Sequence, residues 1–272
     1  MKIWIIEKDV FPESDTALIS NLQKLNIPYQ FYKNGVKYNP YDHILRCSCD
    51  TLAKNKNFVS CFCYHLAAVN LFQDEMMLNW DYEIMTFDQL SQNRNAVFDY
   101  YGGENNKIFI KPESPFKPFE ATYLYNNIYL DNILKSIEKE NNVYCPDCIV
   151  SSWKEIVAEY RFVFNEYDII GYSSYMSEGE VDFSLPMTTK LIRYIQDIAD
   201  YYVNYGLKGN MWQHAIGPQD EIWTIDIALL PDGSHKIVEL NSLASIGLYD
   251  ININGLLKGI IRDKIHRGVS KE

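Results

Sequence analysis

The chain has 272 residues, 47% hydrophobic and 22% charged, a globular composition long enough for two or three lobes and unlike that of a disordered chain. Its formal net charge of -11 argues against nucleic acid as a partner, because phosphates must be met by Lys and Arg. No run of about eighteen apolar residues occurs, so no membrane-spanning helix is expected.

In chain order, Lys2–Glu7 reads as a short strand with no signal-peptide cleavage region after it, and a cytoplasmic protein is the expectation. A helix follows, capped by Ser14 or Asp15, with Leu18, Ile19, Leu22 and Leu25 on one stripe, and then an extended Tyr29–Tyr32. A further strand–helix step is expected at Phe58–Tyr64 and His65–Phe72, giving an open α/β layer. Polar stretches at Ser91–Asn95 and Gly102–Asn106 mark the passage into a second lobe. That lobe opens with the strand Lys107–Pro112 and continues through Ala121–Tyr125 and Cys145–Ser151. Glu159–Phe164 and Asp168–Ser174 pair as a hairpin across Asn165–Tyr167. A long helix runs from Thr188 to Gly206 with Leu191, Ile192, Ile195, Ile198 and Tyr202 on its apolar stripe, and a last helix lies near Ile253–Ile265. The expected division is 1–105, an N-terminal α/β domain; 106–150, a small lid; and 151–272, a C-terminal lobe.

The six cysteines fall as Cys47/Cys49, Cys61/Cys63 and Cys145/Cys148. Structural zinc sites prefer a gap of two to four residues within a ligand pair, and only the last pair has one. Reduced cytosolic thiols acting as small hydrophobes are the simpler expectation. His214 and His235 belong to no motif and read as packing or surface residues.

Ile222–Leu230 and His235–Ser242 flank Asp232-Gly233, a strong signal for a two-residue hairpin turn. The resulting register sets Asp226 directly across from Glu239. Side chains alternate, so Thr224, Asp226, Glu239 and Asn241 share one face, while Trp223, Ile225, Ile227, Val238 and Leu240 share the other. Facing carboxylates repel, and a cation relieves that repulsion. Two carboxylates and an amide oxygen suit Mg²⁺, which keeps some waters and completes its shell with substrate phosphates. Taken alone, the hairpin reads more simply as a solvated outer face.

In order along the chain, Ile110-Lys111-Pro112, Ile149–Trp153, Glu159-Tyr160-Arg161, Asp226 and Glu239-Leu240-Asn241 resemble the ATP-grasp superfamily of ATP-dependent carboxylate–amine ligases. The strings Phe109–Lys117 and Glu159–Val163 resemble a compact stand-alone clade found in phages and bacteria. The resemblance covers roughly residues 105 to 252. It implies an ATP-grasp fold of α/β (α+β) class: an N-terminal open α/β layer, a small lid and a C-terminal lobe built on an antiparallel sheet.

By that resemblance, Lys111 reaches the α- and β-phosphates of ATP and Lys117 is a second phosphate contact. Val150, Ser151, Ser152 and Trp153 form the hinge strand whose backbone reads adenine, and Glu159 accepts from the ribose hydroxyls. Arg161 clamps phosphate or acyl-phosphate, as a planar multidonor group can. Asp226, Glu239 and Asn241 bind two Mg²⁺ ions, with Mn²⁺ an alternative. Hydroxyls of Ser242 and Ser245, in the loop Ser242–Asp250, orient the acceptor. Many relatives carry an arginine where this chain has Thr224, and Arg161 or Arg193 is the candidate to supply that charge.

The implied reaction joins a small-molecule or peptide carboxylate to an amine through an acyl-phosphate, under a lid of roughly residues 107 to 148 that excludes water. The alternatives are a nucleotide-binding regulatory or interaction protein without turnover and an ATP-dependent phosphotransferase. The substrates and the oligomeric state have no signature in the sequence.

Overall fold

The computed structural model describes residues 2–55, 58, 72, 74–114, 117–125, 130–141, 147–165, 168–177, 180–201 and 222–269. The expected strand–helix step over 58–72 lies outside these apart from its two end residues, as do Tyr202, the last turn expected up to Gly206, His214, Cys61, Cys63 and Cys145.

Among the described residues, three sheets carry the molecule. In the N-terminal sheet, β1 (Ile3–Ile6) lies between β2 (Tyr29–Phe31) and β3 (His43–Arg46), both parallel to it. Helix α1 (Pro12–Lys24) buries Leu18 and Leu22 against Trp4 and Ile6. Its start differs from expectation. Pro12 opens the helix after Phe11, with no side-chain cap, since Phe11 has no side-chain acceptor and proline's fixed φ and missing N–H suit the first helical position. Ser14 and Asp15 instead accept from the guanidinium of Arg46, at 3.1 and 3.0 Å. A short helix α2 (Cys49–Lys54) follows, capped by Ser48.

The central sheet is antiparallel, in the order β4-β7-β5-β6, with β4 (Glu83–Thr86), β5 (Lys107–Pro112), β6 (Thr122–Tyr125) and β7 (Asp147–Ser152). Helices α3 (Phe87–Gln92), α4 (Arg94–Tyr101) and α5 (Leu130–Asn141) share one core with it, including Leu90, Val97, Ile110, Leu134 and Val150. Membership of this sheet therefore begins at Glu83, ahead of the 105/106 boundary expected from the polar stretches, and ends at Ser152. Those polar residues are helix ends and a turn inside the lobe, which composition cannot distinguish from a connection between lobes.

The C-terminal sheet runs β11-β10-β8-β9, all antiparallel: β8 (Ala158–Asn165), β9 (Asp168–Ser177), β10 (Ile222–Leu229) and β11 (His235–Ser242). Helix α6 (Thr189–Tyr201) packs Leu191, Ile195 and Ile198 onto the face carrying Trp223, Ile225, Ile227 and Leu240. Each such side chain contributes about 1.5–3 kcal/mol when fully buried. Helix α7 (Ile253–Val269) places Leu256 and Leu257 with Val163 and the N-terminal layer.

The β10–β11 register is reached differently from the sequence reading. The loop has three residues, Pro231-Asp232-Gly233, closed by a Leu230 carbonyl to Gly233 N–H bond with Gly233 in the left-handed region at φ 75°. Near the turn the partners are Leu229 with His235 and Ile227 with Ile237; beyond a bulge they are Asp226 with Glu239 and Thr224 with Asn241. Val238 is the extra residue. It is only half-buried, and Ile237 takes the core place expected for it.

Candidate active site

The site face of the C-terminal sheet is set by register. Asp226 on β10 stands opposite Glu239 on β11 and opposite Arg161 on β8, while Thr224 stands opposite Asn241. Arg161 is a bidentate partner of Asp226, Nε to Oδ1 at 2.7 Å and Nη2 to Oδ2 at 2.6 Å, and its Nη1 donates to the Gly247 carbonyl at 3.0 Å. From the central sheet, Lys111 Nζ reaches Glu239 Oε2 at 3.2 Å, and Lys117 Nζ from the loop after β5 reaches Oε1 at 3.0 Å. The Asn241 amide donates to Glu239 Oε1 at 2.9 Å. The repulsion between the facing acids is thus relieved by three cations of the chain itself.

Electrostatics follow from that geometry. Burial opposes ionisation of Glu239, but the charges of Lys117 and Lys111 outweigh it and hold the carboxyl well below the ordinary range. Burial pushes Asp226 upward, and Arg161 offsets part of that push. Glu159 accepts from the Tyr175 hydroxyl, yet burial raises it to about 7, with the charges of Asp226 and Glu239 adding to the effect. Arg161 lies under the rings of Tyr249 and Tyr175, at 4.9 and 5.4 Å, and these stack on each other at 4.7 Å. Two non-glycine residues here, Lys117 (φ 45°) and Tyr249 (φ 47°), hold left-handed backbone conformations, which cost about 1–2 kcal/mol and are stored at functional sites.

Lys111, Lys117, Arg161, Asp226, Glu239 and Asn241 are therefore joined in one network. Glu159 sits two residues before Arg161 on β8, buried. Val150, Ser151 and Ser152 end strand β7, with the Val150 side chain in the lobe core and Ser151 buried. Trp153 begins the link to β8 and lies over Lys107 Nζ at 3.8 Å. Ser245 is half-buried in a 3-10 turn, Leu243–Ser245, capped by Ser242, whose hydroxyl accepts the Ala244 N–H. Of the two arginines expected to stand in for the one absent at Thr224, Arg161 lies on the site face, paired with Asp226. Arg193 is exposed on α6, which packs on the opposite face. His235 is a packing residue, stacked on Tyr194 at 5.7 Å. Cys47, Cys49 and Cys148 are free thiols, and among the described residues no cluster of three His, Cys, Asp or Glu side chains is positioned to hold a metal.

The donor set nevertheless fits a hard cation. Asp226, Glu239 and Asn241 offer oxygen ligands, and the Asn241 Oδ1 is buried with no hydrogen-bond partner. Mg²⁺ binds such sets through one or two carboxylates plus substrate phosphates.

Three contributors have no motif. Arg46, fully buried at the end of β3, bonds the Ile246 carbonyl as well as Asp15 and Ser14, and the Cys47 N–H bonds the Ala244 carbonyl at 2.8 Å. Tyr175 and Tyr249 form the wall over Arg161. For Arg46 the available signal was a charge ending an apolar strand; the tyrosines gave none.

A parallel α/β layer followed by two antiparallel sheets, with acids of one sheet facing lysines of the other, defines the ATP-grasp fold. Residues 92–258 match the profile of the ATP-grasp domain, R2K clade family 2, and the chain belongs to that family. Comparison with curated protein sequences finds no match. Among solved structures the chain is similar to D-cycloserine synthetase DcsG, with a TM-score of 0.62 and 12% identity over 97% of this chain and 99% of that one. It is also similar to D-alanine–D-alanine ligase from Bacillus anthracis complexed with ATP, with a TM-score of 0.57 and 13% identity over 98% of both chains. A RimK domain ATP-grasp protein from Sphaerobacter thermophilus gives a TM-score of 0.56 at 8% identity, over 96% of this chain and 100% of that one. At such identities these likenesses establish the fold. Among the described residues no helix is long and apolar enough to cross a membrane.

Proposed function

We propose that the protein is an ATP-dependent ligase that joins a carboxylate to an amine, with Mg-ATP bound between the central and C-terminal sheets. The observation that carries this is the meeting of Lys111 and Lys117 with Glu239, in register with Asp226 and Asn241. Two lysines and a bidentate arginine around two acids suit a ligand that brings both negative phosphates and a divalent cation. A surface ion pair would need neither the burial nor the three strands.

On this reading Lys111 and Lys117 turn from Glu239 to the phosphates when nucleotide enters, a transfer between anions that leaves no buried charge unpaired. Asp226, Glu239 and Asn241 hold Mg²⁺, which when bound neutralises phosphate charge. The backbone of Val150–Trp153 receives adenine, and Glu159 the ribose. A substrate carboxylate attacks the γ-phosphorus, forming the acyl-phosphate C–O–P linkage as the bond to ADP breaks. The amine then attacks the carbonyl carbon, phosphate departs with the C–O bonding pair, and the amine proton passes to solvent or a nearby base. Arg161 fixes the loop after β11 through the Gly247 carbonyl and offers charge to the acyl-phosphate, and Ser245 orients the acceptor. Positioning and charge compensation supply the catalysis, so no serine or cysteine nucleophile is needed.

The test is ADP release from Mg-ATP with pooled amino acids, polyamines and short peptides, followed beside mass analysis of products. Asp226→Asn is expected to reduce turnover by about 100-fold or more. Because Asp226 is buried against Arg161, Lys117→Ala at a one-third exposed side chain serves as the second variant, with weakened ATP binding expected. Turnover unchanged in both, or ADP release that needs no amine, would remove the reading.

A further inference from the structure

The two edges of the C-terminal sheet are treated differently. Beside β11, Met77 bridges to Ile237 and the Leu78 N–H bonds the Ile237 carbonyl at 2.7 Å, so that edge is covered. Beside β9, Glu180 pairs with Ser177 and the Asp182 N–H bonds the Tyr175 carbonyl. That segment then leaves the strand. Among the described residues, Ile169–Ser174 has no main-chain partner on its outer side. Bulges fall at Ile170 and Tyr175, leaving Gly171–Ser174 as regular strand.

A groove of about 600 Å³ runs along this open edge. One wall is Phe183, Leu185 and Met187, and the other is the turn and helix start at Asp250, Asn252 and Gly255. Its size falls in the range of about 300–1,000 Å³ typical of ligand sites. The groove also touches the active site. Ser173 stands opposite Arg161, its hydroxyl accepts the Asp250 N–H at 3.3 Å, and the neighbouring Tyr249 lies over the Arg161 guanidinium.

We propose that this groove binds an extended basic peptide by strand addition to β9, delivering it to the active site as a substrate; its role as substrate rests on the ligase reading, whereas the binding does not. Unpaired backbone donors and acceptors along a strand are met by another backbone, which specifies a polypeptide over other small molecules. Leucine, methionine and aromatic side chains on the wall call for apolar residues at alternate positions. Among the described residues that line the groove, Asp250 is the one charged residue and none is Lys, Arg or His; the chain carries -11 overall, so the intervening residues should be basic.

Three fluorescein-labelled octapeptides test this, each with valine or tyrosine at every second position and lysine, glutamine or glutamate between. A fourth copies the lysine peptide with alternate backbone nitrogens methylated. Anisotropy should show the lysine peptide binding at least tenfold more tightly than the glutamate and N-methylated forms. Hydrogen exchange over residues 169–174 should slow on binding. Ile169→Lys and Phe183→Lys, at side chains 40% and 45% exposed and so tolerated by the fold, should each weaken binding at least tenfold. Asp226→Asn, outside the groove, should bind the peptide as the wild type does while losing turnover. Equal binding of the N-methylated peptide, or no peptide binding alongside intact amine-dependent ADP release, overturns the groove and leaves the ligase reading standing. Peptide binding without ATP turnover does the reverse. A dimer abolished by Ile169→Lys would assign the edge to a second copy and also overturn the proposal.

Discussion

Glu159, buried on β8, and Glu239, half-buried on β11, are acids of one sheet with β10 between them, and their surroundings drive their titration apart. Glu239 has Lys111, Lys117 and Asn241 within hydrogen-bond reach and stays ionised; Glu159 has a tyrosine hydroxyl and rises to about 7. The sign of the resulting pH dependence is set by which state keeps its proton. From the ordinary 4.5 up to about 7, the folded protein retains a proton at Glu159 that the unfolded chain has released, so rising pH across this window lowers stability. Glu159→Gln cannot titrate. Its stability relative to the wild type should therefore grow between pH 4.5 and 8 by about 3 kcal/mol, at 1.36 kcal/mol per unit. Urea unfolding in EDTA at a series of pH values measures this, and parallel curves for the two proteins would refute it. At this scale the sequence was informative where spacing carried information. Alternation on two strands exposed Asp226, Glu239 and Asn241, whereas Tyr175 and Tyr249 are two among 21 tyrosines, and nothing local distinguishes a wall residue from a packing one.

The acidic hairpin shows how an element can be read correctly through two errors that cancel. A two-residue turn and no bulge place Asp226 opposite Glu239; so do a three-residue loop and a bulge at Val238. The facing pair was legible because either route preserves the alternation that keeps acids off the apolar face. The bulge was not, since nothing in a run of β-branched residues says which one is extra, and that is why Val238 and Ile237 exchanged roles. Contact between the end of β3 and the loop after β11 was likewise invisible, because it joins segments about 200 residues apart through the Arg46 side chain and one main-chain bond, Cys47 N–H to the Ala244 carbonyl. Arg46 bonds the Ile246 carbonyl while Asp15 neutralises it, and Arg161 holds the next carbonyl, Gly247. Arg46→Met leaves Asp15 buried without its cation and the loop without its anchor, and should lower stability by about 3–5 kcal/mol. Arg46→Met with Asp15→Leu should recover much of the stability but leave Ser242–Asp250 exchanging amide hydrogens faster than in the wild type. Full recovery of both would show that the arginine only balances Asp15.

Among the described residues the central and C-terminal sheets meet at Glu239, through Lys111 and Lys117, in the apolar cluster that Ile149 of β7 joins, and along the link from Trp153 to Val157. The order of lobes was legible from motif order and from the alternation of helix and strand periods. The boundary was not, because β4 joins its sheet through β7, which lies more than 60 residues later. The link has its own fastening just before β4. Asp81 accepts the Ser152 N–H at 3.3 Å and bonds the Ser152 hydroxyl and the Lys154 ammonium. Both charged side chains are about one-fifth exposed, so water screens the pair only in part. Burial pulls Lys154 below its ordinary range and Asp81 works against that pull, so removing the acid leaves a mostly buried cation without its counter-ion. Asp81→Ala should therefore loosen the joint between the sheets rather than either sheet. Amide exchange over residues 152–157 is expected to quicken by about tenfold or more, equivalent to about 1.4 kcal/mol of local opening, with exchange in β10 unchanged. If adenine is read by this backbone, ATP affinity falls in the same variant and is restored in part by Asp81→Glu, which keeps the charge. Uniform quickening across β10 as well would mean that Asp81 stabilises the fold globally, and a quickened link with unaltered ATP affinity would separate the joint from nucleotide recognition.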